Sequence, residues 1–124
     1  YIDTDLIHQV LWNLLINSLE AMPRGGQIKV MVRKTDLFLR DAVEIVISDS
    51  GIGIPDHELD KIFEPFYTTK TEGTGLGLSV VQRIIDDHGG AIDAKSKKDK
   101  GAAFYIKLPV GNEKLAIQDN LFVG

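Results

Sequence analysis

Gly73-Thr74-Gly75-Leu76-Gly77-Leu78 alternates three glycines with three other residues. An apolar helical pattern starts at once with it, in Leu76, Val80, Val81, Ile84 and Ile85. Glycine has no Cβ, so the backbone can come close to a ligand here. A helix rising from such a loop turns unpaired N–H groups and partial positive charge toward whatever lies before it, which suits a phosphate. The same run would also serve as a plain connecting turn, and only its surroundings can decide. Its spacing, with no strand in front, breaks the dinucleotide-binding fingerprint, and the chain has no Gly-x-x-x-x-Gly-Lys-Ser/Thr loop.

The residues on either side supply a pattern. Upstream, Ala42-Val43-Glu44-Ile45-Val46-Ile47-Ser48 alternates like a strand and delivers the chain to Asp49-Ser50-Gly51-Ile52-Gly53-Ile54-Pro55. A carboxylate at a strand end followed by two glycines is a frequent site geometry, and a tight turn capped by Asp49 is the structural alternative. Gln27–Arg33 reads as a partner strand, with residues 35–41 as the connection of a hairpin. Near the start, Asp3 and Thr4 can cap a helix running to about Ala21. Leu6, Ile7, Val10, Leu11, Leu14, Leu15 and Leu19 give it a broad apolar face. Gln9, Asn13, Asn17 and Glu20 fall on a separate stripe at 100° per residue. Asparagine is a mediocre helix former, so the pair Asn13 and Asn17 suggests a polar task, although a solvated face would look the same.

Pro55-Asp56 can open a short helix through Glu58, Leu59 and Ile62, and Phe63-Glu64-Pro65-Phe66-Tyr67 brings three aromatics that suggest an anchored segment. Thr68 to Thr74 reads as a mobile polar stretch, with Gly73 as its hinge. A second long helix is expected from about Gly75 to His88, ended by Gly89-Gly90. Ala91–Ser96 and Ala102–Leu108 form a second hairpin across the charged turn Lys97–Gly101. The order helix, hairpin, short helix, loop, helix, hairpin indicates an α+β layer structure with the helices on one face of an antiparallel-rich sheet.

The bulk properties bound the function. The 124 residues suit one domain, and 44% hydrophobic with 26% charged residues is ordinary for a soluble globular protein. No apolar run approaches the roughly 18–20 residues that span a bilayer, so no membrane contact is expected of this segment. The chain has no cysteine, which excludes disulfides and thiolate metal sites and fits a cytoplasmic setting. A net charge of −4 argues against nucleic-acid binding, and it means that a bound polyphosphate needs a metal ion and local donors. His8, His57 and His88 share no metal-ligand spacing. His88 reads as a helix C-terminal residue. No serine lies in a Gly-x-Ser-x-Gly setting.

Four elements in fixed order remain, and together they resemble the ATP-binding catalytic domain of sensor histidine kinases. That group lies within the Bergerat-fold (GHKL) family, which also holds gyrase-type ATPases, Hsp90 chaperones and MutL-like proteins. Asn13-Leu14-Leu15-Ile16-Asn17-Ser18 resembles the N box and Asp49-Ser50-Gly51-Ile52-Gly53 the G1 box. Phe63-Glu64-Pro65-Phe66 resembles the F box and Gly73-Thr74-Gly75-Leu76-Gly77-Leu78 the G2 box. Gly101 matches a weaker final glycine motif. The resemblance spans about residues 1–109, with 110–124 left as a tail of unassigned structure. It implies a two-layer α/β sandwich with a mixed, mostly antiparallel sheet, and a first strand missing or cut short ahead of the N-box helix. An abrupt start at Tyr1-Ile2-Asp3 suggests an excised piece of a longer protein.

The resemblance also implies roles. Asp49 would accept from the adenine amino group, Gly51 and Gly53 would let the backbone close on the base, and Ile54 would form a pocket wall. Asn17 would coordinate Mg²⁺ with help from Asn13. Few protein ligands are needed, because Mg²⁺ keeps several waters. Lys70 and the backbone amides of Gly75 to Leu78 would hold the phosphates of ATP, and Tyr67 would border the nucleotide. Residues 67–75 would form a short lid of the kind seen in nitrogen-regulation sensor kinases, with Gly73 and Thr74 inside it. Gyrase- and Hsp90-like ATPases carry a water-positioning glutamate where this chain has Asn13, and a neutral amide is a poor general base. Transfer to a histidine is thus favoured over an ATPase cycle or a purely regulatory nucleotide module. Glu20 stands where relatives often carry a basic residue, and it receives no role. None of the three histidines has the phosphoacceptor context. The acceptor would therefore lie on a separate dimerisation domain of the same kinase, and a response regulator would receive the phosphoryl group. The segment alone would be monomeric, within a homodimeric, cytoplasmic or membrane-anchored parent kinase.

Overall fold

The computed structural model describes residues 3–64 and 77–110. Helix α1 spans Thr4–Glu20, strands β1 and β2 span Ile28–Leu37 and Arg40–Asp49, and the one-turn helix α2 spans Asp56–Leu59. Helix α3 spans Gly77–Asp87, and strands β3 and β4 span Ala91–Ser96 and Ala102–Pro109. The sheet order is β1-β2-β4-β3. Two hairpins are thus joined side by side through β2 and β4, with Ile45 opposite Ile106 and Ile47 opposite Phe104. Every pairing among the described residues is antiparallel, so the parallel component of a mixed sheet is not found among them.

One face of the sheet carries the core. Ala102, Phe104, Ile106 and Leu108 alternate with half-exposed residues along β4, and they pack with Ile47 against Val10 and Leu14 of α1 and Val81, Ile84 and Ile85 of α3. This is the helix-on-one-face layering expected from the element order. The other face keeps long polar side chains. On it, buried Glu44 pairs with Arg33, its register partner on β1, and Lys95 lies 5.2 Å from the centroid of the Tyr105 ring.

Asp3 caps α1 as expected, its carboxylate accepting from the amides of Asp5 and Leu6. The apolar face of α1 is narrower than its sequence suggests. Val10, Leu14 and Ser18 are buried, whereas Leu6 and Leu19 are exposed. His88 follows α3 directly. Its Nδ1 lies 2.7 Å from the Ile84 carbonyl, and its Nε2 accepts the Asp3 amide at 3.0 Å. The ring therefore ties the end of α3 to the start of α1, a structural role.

The first hairpin differs from its expected form. Residues 35–41 do not make a long connection. The strands run on through Leu37 and Arg40, which pair, leaving the two-residue turn Phe38-Leu39. Both turn residues have positive φ, 51° and 64°, as a type I′ turn demands. The usual signal, Asn-Gly, is absent, so the turn could not be recognised from residue type. Phe38 and Leu39 are 79% and 102% exposed, so little packing offsets the left-handed backbone. Replacing Phe38-Leu39 by Asn-Gly should stabilise the domain by about 1–2 kcal/mol. Urea denaturation checks this, and an unchanged midpoint would contradict it.

Candidate functional site

The site gathers where the C-terminal ends of α1 and β2 meet the turn between β3 and β4. Asp49 ends β2 on the helix-covered face, half-buried. Its Oδ1 accepts the Gly51 amide at 2.9 Å and the Ala102 amide at 3.3 Å. One donor belongs to its own loop and the other to β4, so the carboxylate is held from both sides. Oδ2 makes no hydrogen bond among the described residues.

The loop after Asp49 is fastened along its length. Ile52 donates to the Ala21 carbonyl at 3.0 Å, which ties the loop to the C-cap of α1. Asp99, in the β3–β4 turn, donates to the Ile52 carbonyl at 2.5 Å. Ile54 donates to Ser96 Oγ at 2.7 Å, and the same hydroxyl donates to the Gly101 carbonyl at 2.7 Å. Ser50 exchanges bonds with Gln27, extending the β1–β2 ladder by one step.

The glycines here are required by the protein's own backbone. A Cβ on Gly51 would stand 2.3 Å from the Ala21 carbonyl oxygen. One on Gly53, at φ +71°, would stand 1.9 Å from the Lys97 carbonyl oxygen, and one on Gly101, at φ +84°, 2.0 Å from that of Asp49. Three backbone segments touch with no room for side chains. Gly77 contrasts with these, because a Cβ there meets no atom of the described residues within 4 Å.

Asn13 and Asn17 lie one turn apart on α1, both half-buried, and neither side-chain amide has a hydrogen-bond partner among the described residues. Asn17 accepts the Ala21 amide through its backbone carbonyl, one helical turn before the residue that anchors the loop on α1. Two unpartnered amide oxygens fit a hard cation that brings most of its ligands as water. No cluster of three His, Cys, Asp or Glu side chains suited to a metal occurs among the described residues.

Phe63 packs edge-on against Phe104, with ring centroids 6.5 Å apart, and so fixes the start of the aromatic segment to β4. Ile54 packs against the core beside Leu59. Gly77 and Leu78 open α3. Tyr67, Lys70, Gly73, Thr74, Gly75 and Leu76, and with them Phe66 and the expected lid, lie outside the described residues. So does the tail after Val110. A cavity of about 370 Å³ lined by Leu37, Arg40, His88 and Pro109 lies at the opposite end of the sheet from Asp49 and holds none of the motif residues. Ser96 was not legible as a site residue. Nothing marks it beyond a polar residue at a strand end, and its partners Gly101 and Ile54 are 5 and 42 positions away.

Residues 2–112 match the family model described as histidine kinase-, DNA gyrase B- and HSP90-like ATPase. Among curated proteins, the sensor histidine kinase ZraS of Salmonella typhimurium is 50% identical over 108 residues, 87% of this chain and 23% of that protein. Sporulation kinase E of Bacillus subtilis is 44% identical over 110 residues, 89% of this chain and 14% of that protein. The chain thus spans less than a quarter of the length of either relative. Among solved structures, a mycobacterial sensor histidine kinase, MprB, superposes with a TM-score of 0.77 at 31% identity, covering 86% of this chain and 74% of that one. The catalytic domain of histidine kinase ThkA, in a nucleotide-free form, gives 0.72 at 41% identity, covering 87% and 68%. Full-length ShkA in complex with AMPPNP gives 0.67 at 29% identity, covering 84% and 21%.

The glycine contacts separate backbone fit from ligand approach. Gly53→Ala and Gly101→Ala should each cost roughly 2–4 kcal/mol of stability through left-handed strain and overlap. Gly77→Ala should leave stability equal or slightly higher. Thermal unfolding of the three variants tests the contrast, and equal losses in all three would contradict it. Ser18, beside Asn17, carries a buried hydroxyl with no hydrogen-bond partner among the described residues. Ser18→Ala should therefore raise stability by about 1 kcal/mol. A fall in the unfolding midpoint would count against the orphaned hydroxyl.

Proposed function

This chain belongs to the histidine kinase-, DNA gyrase B- and HSP90-like ATPase family, in its sensor histidine kinase branch, and on that premise we propose that it binds Mg·ATP and donates the γ-phosphoryl group to a histidine. The acceptor lies on a separate dimerisation domain of the parent kinase, and an aspartate of a response regulator then takes the phosphoryl group. The observation that carries the reading is the Asp49 carboxylate. One oxygen is held by two backbone amides, and the other is left to accept the exocyclic amino group of adenine. Guanine presents a carbonyl at that position, which would face the carboxylate acceptor to acceptor, so the loop selects adenine.

Gly51 and Gly53 keep the loop thin and Ile54 lines the base pocket. Tyr67 borders the nucleotide. Asn17, assisted by Asn13, holds Mg²⁺ through side-chain oxygens. When bound, the ion neutralises phosphate charge and orients the γ-phosphoryl group for in-line transfer. Lys70 and the backbone amides of Gly75, Leu76, Gly77 and Leu78 receive the phosphates, and Gly73 and Thr74 belong to the lid over the nucleotide. The chain does little covalent chemistry of its own, and positioning and charge neutralisation supply the rate. In the transfer, the bond from the γ-phosphorus to the oxygen of ADP breaks as the lone pair of the unprotonated imidazole nitrogen forms a bond to phosphorus, and the other ring nitrogen gives up its proton to solvent or a base of the acceptor domain.

Asn13 supports transfer over hydrolysis. It offers no carboxylate to activate water where a glutamate would be needed for an ATPase cycle. His8 is followed by Gln9 instead of the acidic residue of the family's phosphoacceptor context, His57 sits in the one-turn helix α2, and His88 is engaged with Ile84 and Asp3, so none is offered as the acceptor in this reading.

Mixing the chain with a dimerisation domain of its parent kinase and γ-labelled ATP should label that domain, with no stable label on the chain itself. Asn17→Ala should reduce the transfer rate by roughly 10²-fold or more while leaving Mg²⁺-independent nucleotide binding nearly unchanged. Sustained phosphate release without acceptor labelling would contradict the reading and favour an ATPase cycle.

A further inference from the structure

Ser96 joins the Asp49 loop to the β3–β4 turn by two hydrogen bonds of its own. Its hydroxyl accepts the Ile54 amide and donates to the Gly101 carbonyl, both at 2.7 Å. Ile54 is the fifth residue after Asp49 on the loop. Gly101 immediately precedes Ala102, whose amide is the second donor to Asp49 Oδ1. The two donors that hold the carboxylate, Gly51 and Ala102, therefore lie on two segments that meet through Ser96. Ser96 and Ala102 are also register partners across the β3–β4 hairpin, so the hydroxyl starts from a fixed strand position.

From this geometry we propose that Ser96 is a positioning residue for base recognition. By fixing the loop carrying Gly51 and Ile54 against the segment carrying Gly101 and Ala102, it sets the orientation of the Asp49 carboxylate and the distance from Oδ2 to the Ile54 wall. A hydroxyl is required because the position needs a donor and an acceptor at once. Alanine would leave the Ile54 amide and the Gly101 carbonyl without this partner. The Asp99 amide to the Ile52 carbonyl would still hold the loop to the turn, so the fold is kept while the register between the two donors is loosened. The inference rests on the adenine-binding reading and assigns to Ser96 part of its specificity.

The test compares ATP with inosine triphosphate, which shares the phosphates and ribose but has an oxygen in place of the amino group. Affinities are measured by competition against a fluorescent ATP analogue in the presence of Mg²⁺. Ser96→Ala should weaken ATP binding roughly five- to tenfold and leave inosine triphosphate binding within about twofold, so the preference between the two falls. Ser96→Thr keeps the hydroxyl and should restore the preference. Exchange of the Ile54 amide proton in the ligand-free chain should accelerate in Ser96→Ala and not in Ser96→Thr. An equal loss for both nucleotides would identify a general structural effect and overturn the proposal, as would an unchanged preference. If the parent chain binds ATP no better than inosine triphosphate, the adenine reading itself fails, and this inference fails with it. A chain that prefers ATP but is indifferent to Ser96 overturns this inference alone.

Discussion

Contact of backbone against backbone around the loop after β2 is the constraint on which the site depends. Ala21 at the end of α1, residues 51–53 of the loop, and Lys97 and Gly101 of the β3–β4 turn meet with no space for a Cβ at Gly51, Gly53 or Gly101. Amides and carbonyls face each other across these contacts and pair, at Ile52 with Ala21 and at Asp99 with Ile52. Because peptide groups are stiff and their hydrogen bonds directional, such a junction has little freedom. It carries Asp49 in a fixed orientation before any ligand arrives, so little ordering has to accompany binding.

This changes how the glycines are understood. Gly51 and Gly53 resemble residues kept small so that a base can approach. The volume a side chain would take is filled by the protein itself, and what these contacts fix is the placement of Asp49. Gly77 is different, since no neighbour among the described residues forbids a side chain there. A glycine at that position is explained by a helix start that leaves its amides accessible, which suits phosphate. One motif vocabulary thus covers two physical demands, close packing on one side of the site and open approach on the other.

Much of the fold was legible because apolar periodicity and turn chemistry agree. The two hairpins, the capped first helix and the helix ended by Gly89-Gly90 follow from alternation, from Asp3 and from glycines suited to positive φ. What was not legible depended on tertiary context. Phe38 and Leu39 occupy a turn that residue preference would assign to Asn-Gly, so the strands run further than residue type indicates. Leu6 and Leu19 extend the apolar pattern of α1 beyond what the sheet covers. In the site, Asp49, Asn13 and Asn17 announce themselves by residue type in an unexpected place. Ser96 and Ala21 do not, because one acts through a hydroxyl common at strand ends and the other through a backbone carbonyl.

The measurement that tests the central claim most directly is a crystal structure of this chain with Mg²⁺ and a non-hydrolysable ATP analogue. The adenine amino group should lie at hydrogen-bonding distance, about 2.7–3.2 Å, from Asp49 Oδ2. The backbone of residues 49–55 should be unchanged, with Oδ1 still held by the Gly51 and Ala102 amides. A base bound away from Asp49, or a loop that rearranges to admit it, would contradict the claim that protein contacts alone set the recognition group.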